Sequence, residues 1–117
     1  MNEESLELII EDETAVLKIK GEVLFDNSNI YKEKTKELIK KTEYSNLIID
    51  LIEVPYIDSS GIGFLLSLFK FMREKDEILK IANANEKIKK VLEITKINSI
   101  IDIHDSLEEA LTELNHN

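Results

Sequence analysis

Two short runs of Leu, Ile and Val, Ser5 to Ile10 and Ala15 to Lys20, flank the polar stretch Glu11-Asp12-Glu13-Thr14 and predict a β-hairpin. Gly21 ends the second run, and a polar loop around Asp26 to Asn29 follows. From Ile30 to Lys41 the apolar residues Tyr31, Leu38 and Ile39 recur at helical spacing among lysines and glutamates, which predicts a surface helix. Leu47-Ile48-Ile49-Asp50-Leu51 is an almost unbroken apolar run, short enough for a buried strand, with a loop at Pro55. A helix is predicted from Ser59 to about Glu74, a strand at Ile78 to Ala82, a helix from Asn85 to about Thr95 and a strand at Ile100 to Ile103. Ser106 and Glu109 have the spacing of a capping box ahead of Leu107, Ala110, Leu111 and Leu114.

Strand, strand and helix, then strand and helix alternating three times, is an α/β order. It predicts a mixed, mostly parallel sheet of about five strands with about four helices. At 117 residues the chain has room for one domain, spanning residues 1–117. With 43% hydrophobic and 33% charged residues it can bury a core and keep a polar surface.

The net charge of -9, and the lack of any dense Lys/Arg block, argue against direct binding of nucleic acid and favour a basic protein surface as partner. The chain has no cysteine, so disulfides and thiolate chemistry are excluded. Its apolar runs are short and broken by charge, and Met1-Asn2-Glu3-Glu4 is unlike a signal sequence, so a cytoplasmic protein without membrane insertion is expected.

Chemistry concentrates in Val54-Pro55-Tyr56-Ile57-Asp58-Ser59-Ser60-Gly61-Ile62-Gly63. Asp58, Ser59 and Ser60 suit a helix start, where short oxygen-bearing side chains cap free N–H groups. Gly61 and Gly63 do not suit it: each costs about 1 kcal/mol of helix propensity against alanine. Either the helix packs closely on the sheet there, or a partner approaches the serines closely. Ile62, Leu65, Leu66, Leu68, Phe69 and Met72 form one apolar stripe, the expected core face. Phe64 and Phe71 fall opposite it, either covered by another element or forming an aromatic contact surface beside Ser59 and Ser60.

These residues carry a resemblance. The run Leu47 to Leu51, the motif Asp58-Ser59-Ser60-Gly61-Ile62-Gly63, Asn83 after the fourth strand, Val91 to Thr95 and the tail Asp105 to Leu111 resemble a STAS domain of the anti-sigma factor antagonist branch. The resemblance covers essentially the whole chain. It implies a protein-binding switch and no enzyme. Unphosphorylated, such a domain binds an anti-sigma factor serine kinase and releases the sigma factor; phosphorylation at the first serine of the motif, Ser59, inactivates it. A serine phosphatase would reverse the modification. Asp58, Ser60, Gly61, Ile62, Gly63 and Phe64 would surround the kinase-facing site, with Gly21, Glu22 and Asp26 contributing from the loop after the second strand. Leu24 stands where the family often has an acidic residue, and Asp76-Glu77 replaces glycines common before the fourth strand. A monomer is the simplest expectation for a small switch, and no cofactor or metal is expected. The alternative is a STAS scaffold subunit of a stress-signalling or membrane transport complex.

A hydrolase reading of Ser59 needs a base, yet His104 and His116 are the only histidines, and His116 stands in a tail expected to fray. His104 beside the last strand is expected to be structural. Glu3-Glu4 and Glu108-Glu109 are expected to be solvated faces.

Overall fold

The computed structural model describes residues 6–24, 26–41 and 44–115. Its elements are β1 (Leu6–Glu11), β2 (Thr14–Lys20), α1 (Ser28–Lys40), β3 (Asn46–Glu53), α2 (Ser59–Arg73), β4 (Leu79–Ala82), α3 (Glu86–Ile94), β5 (Asp102–His104) and α4 (Leu107–Asn115). The five strands lie in chain order, with β1 antiparallel to β2 and every later pair parallel. The expected α/β order and mixed, mostly parallel sheet are therefore present.

Alternation along the strands divides the sheet into two faces. Ala15, Leu17 and Ile19 of β2, Leu47, Ile49 and Leu51 of β3, and Leu79 and Ile81 of β4 join one core with α1, α2 and α3. Ile48 and Ala82, which point the other way, pack under Ala110 and Leu114 of α4. β3 is covered on both faces, which explains its unbroken apolar run. The second face also carries charge: register aligns Lys18 with Asp50, Lys80 with Asp102 and Ala82 with His104.

Three sequence expectations change. The last strand begins at Asp102 because Ile97–Ser99 winds into a 3-10 turn, leaving Ile100 exposed and Ile101 buried before the sheet is reached. Leu66, placed on the core stripe, is 38% exposed. Phe64, offered as a partner contact, is 2% exposed and meets Tyr31 of α1 edge to face, with ring centroids 6.4 Å apart. The second helix is thus buried on two sides, by the sheet and by α1. Phe71 is half-buried beneath the ammonium groups of Lys36 and Lys75, 5.5 and 5.4 Å from its centroid.

The hairpin turns on Asp12 and Glu13, both with positive φ (49° and 69°), as a type I′ turn requires. Asp76 also takes positive φ (59°), as does Lys96 just after α3 (64°). Lys96 sits where helices commonly close on a left-handed glycine, and its side chain is exposed. Lys96→Gly is therefore expected to raise unfolding stability by about 1 kcal/mol in urea titration, because a non-glycine residue is strained there.

Candidate functional site

Parallel strands deliver their following loops to one end of the sheet, where α/β proteins bind ligands and partners. Here the loops after β2, β3 and β4 meet. Gly21 ends β2 at φ 89°, a conformation glycine adopts without strain, and its N–H donates to the Glu53 carbonyl at 3.0 Å. Val23 then forms an isolated parallel bridge with Ile57. Its N–H donates to Tyr56 O and its carbonyl accepts from Asp58 N, each at 3.3 Å. Asn27 closes the first loop on itself: Oδ1 accepts from Leu24 N at 3.0 Å and Nδ2 donates to Glu22 O at 2.9 Å.

The bridge delivers Asp58 to the start of α2. Asp58 is the N-cap, with extended backbone and Oδ1 accepting from Ser60 N at 2.9 Å and Gly61 N at 3.1 Å. The capping role thus falls on the aspartate and not on either serine. Ser59, the first helical residue, is exposed, and Ser60 is half-buried.

The two glycines separate into different roles that sequence alone left together. A Cβ on Gly61 would lie 2.6 Å from Val23 O and 2.8 Å from Ile57 Cβ, so its absence lets the helix start sit on the bridge between the two loops. A Cβ on Gly63 would meet nothing within 4 Å, and Gly63 is exposed. It borders a shallow groove between α1 and α2 that Ser28, Asn29, Lys32, Ser60, Phe64 and Ser67 also line. Of the sequence-predicted residues, Gly21, Glu22, Asp26, Ser59 and Gly63 reach solvent at this end of the sheet, with Asp58 and Ser60 half-buried; Gly61, Ile62 (7% exposed) and Phe64 support it from beneath. Tyr56, in the loop before Asp58, is 37% exposed.

A second polar cluster lies on the α4 face. Lys80, 3% exposed, donates to Asp102 Oδ2 at 2.9 Å, to Glu113, and to His104 Nε2 at 3.3 Å; His104 Nδ1 faces Glu109 Oε1 at 3.0 Å. His104 is thus a structural link between β5 and α4, and Glu109 is more than a solvated charge; Glu3, Glu4 and His116 lie outside the described residues. Asp102, His104 and Glu113 offer three donor atoms within 4.8 Å of one another, but Lys80 already places its ammonium among them. The hydrogen bond from Lys80 holds the Asp102 carboxyl below its ordinary range, a shift that burial opposes. Burial works against the charge on Lys80, yet its bonds and attraction to Asp102 and Glu113 outweigh that and raise its pKa.

The Asp102 contribution is present above the unfolded value of about 3.9 and is lost as pH falls through the lower folded value. The Lys80 contribution is present below about 10.4 and is lost as pH rises through the higher folded value. In Lys80→Met, the melting temperature is expected to vary less than in the parent protein both below about pH 4 and above about pH 10. Thermal scans across pH would check this.

Comparison with known proteins decides the family. The STAS domain family model matches residues 5–110. The chain belongs to the STAS domain family. A Bacillus subtilis anti-sigma-B factor antagonist is 32% identical over 85 residues, covering 73% of this chain and 76% of the relative. The crystal structure of a Thermotoga maritima protein assigned as an anti-sigma factor antagonist superposes with a TM-score of 0.88 at 24% identity, covering 94% of each chain. The phosphorylated form of the Bacillus cell fate determinant SpoIIAA shares the fold, with a TM-score of 0.70 at 19% identity over 93% of this chain and 98% of that one. This STAS domain thus lies within the anti-sigma factor antagonist group, whose members are regulatory proteins and not enzymes. Among the described residues, no helix is long and apolar enough to cross a membrane.

Proposed function

We propose that this STAS domain is a phosphorylation-controlled switch: unphosphorylated, it binds an anti-sigma factor serine kinase, and phosphorylation of Ser59 breaks that complex. The observation that carries the reading is the exposed position of Ser59 as first residue of α2, with capping assigned to Asp58. A hydroxyl there is open to a kinase, and its modification leaves the cap in place.

The partner surface comprises Gly21, Glu22 and Asp26 from the first loop and Asp58, Ser59, Ser60 and Gly63 from the second. Glu22, Asp26 and Asp58 give it an acidic edge suited to a basic partner surface. Phe64, Ile62 and Gly61 act beneath it, fixing the position of α2. Support for modification in this fold comes from SpoIIAA, whose structure has been solved in a phosphorylated form.

Affinity capture with mass spectrometry, using the parent protein, Ser59→Ala and Ser59→Asp as baits, tests the proposal. A serine kinase recovered by the first two and lost from the third supports it. Recovery of a transporter ATPase in its place favours the transport-complex alternative, and phosphate mapped to Ser60 alone moves the switch by one residue.

A further inference from the structure

The loop bearing Ser59 has a second anchor, in the third loop of the cluster. Asn85, the N-cap of α3, uses both ends of its carboxamide: Oδ1 accepts from Ile88 N at 2.8 Å, and Nδ2 donates to the Pro55 carbonyl at 3.0 Å. Pro55 stands three residues before Asp58. The turn that presents Asn85 is itself fixed. Asn83 adopts φ 63°, its N–H donates to His104 O at 3.1 Å, and its Nδ2 donates to Asp50 Oδ1 at 2.9 Å. Buried Asp50 also accepts from Ile52 N and Lys18 Nζ, each at 3.1 Å, so the ends of β3 and β4 are tied before Asn85 reaches across.

We propose that Asn85 is a positioning residue for the phosphoacceptor loop, holding Pro55 so that Asp58 and Ser59 are presented in one geometry. Capping alone needs only the oxygen of this side chain; the amide nitrogen is spent on the loop. A fixed presentation serves both tasks at this end of the sheet: it lowers the ordering cost of partner binding and keeps the serine hydroxyl aligned for transfer. The importance of that alignment rests on the assignment of Ser59 as phosphoacceptor; the anchoring itself does not.

Asn85→Asp separates the two functions. The carboxylate remains a good N-cap acceptor at a helix terminus that favours negative charge, but it has no donor for Pro55 O. Asn85→Ser likewise retains a cap oxygen on a shorter side chain. Both variants are expected to keep the melting temperature of the parent protein and unchanged hydrogen exchange at Ile88 and Lys89 in α3. Amides at Val23, Asp58 and Ser60, whose acceptors lie in the clamped loops, are expected to exchange about three-fold faster. Parent-like exchange at these three amides in either folded variant would overturn the proposal and leave Asn85 as a cap only. Faster exchange with no kinase recovered in the capture experiment would leave the anchoring intact and remove the phosphorylation reading.

Discussion

Ser59→Asp is expected to bind the partner kinase about a hundredfold more weakly than the parent protein, with its melting temperature unchanged. Titration calorimetry with the captured kinase, alongside a thermal scan, would measure both. A negative charge on the first residue of α2 sits where free N–H groups and the helix dipole favour it, and where the Asp58 cap is already complete. Folding therefore has no reason to resist it.

Association does. Ser59 is exposed in the free protein, so an added anion is solvated until a partner covers it; the complex must then strip that water or set the charge against acidic groups, with Asp58 already adjacent. Phosphoserine carries about -1.5 to -2 charges where aspartate carries one, and three acceptor oxygens. The phosphorylated protein is accordingly expected to lose two to three orders of magnitude, about 3 to 4 kcal/mol. Equal affinity of Ser59→Asp and parent protein would overturn the switch.

The sequence made the fold legible because the sheet is so nearly one-dimensional: five strands in chain order, each read from its own local pattern. What escaped it depended on contacts distant along the chain. Phe64 lies opposite the main apolar stripe of α2, and only the placement of α1, with Tyr31 against it, makes that second side a core surface. Lys80 sits in a buried strand with no local hint of neutralisation; its partners Asp102 and Glu113 are 22 and 33 residues away. The Asp58 motif was visible, but the Asn85 to Pro55 bond joins two loops 30 residues apart, and an asparagine before a helix reads as a cap and nothing more. The same limit kept Gly61 and Gly63 together: both are glycines in one helical turn, and their difference lies in what stands opposite.

That difference predicts opposite signs for the same substitution. Gly61→Ala is expected to lower unfolding stability by about 2 to 3 kcal/mol, the usual cost of forcing extra atoms into a packed site. The methyl would press on Val23 O and Ile57 Cβ, and one of those contacts is backbone that cannot rotate aside. Relief would require parting the Val23–Ile57 bridge, so partner binding should fall with stability. Gly63→Ala meets open space and gains helix propensity, and is expected to stabilise the domain by about 1 kcal/mol. If Gly63 is retained because the kinase backbone approaches that turn, the stabilised variant will bind more weakly even though its fold has improved. Urea titrations and affinities for the two variants separate the roles: loss of stability at 61, with gain of stability and loss of affinity at 63. An affinity at Gly63→Ala equal to that of the parent would place the partner's approach elsewhere on the loop cluster and leave that glycine without a role in either folding or recognition.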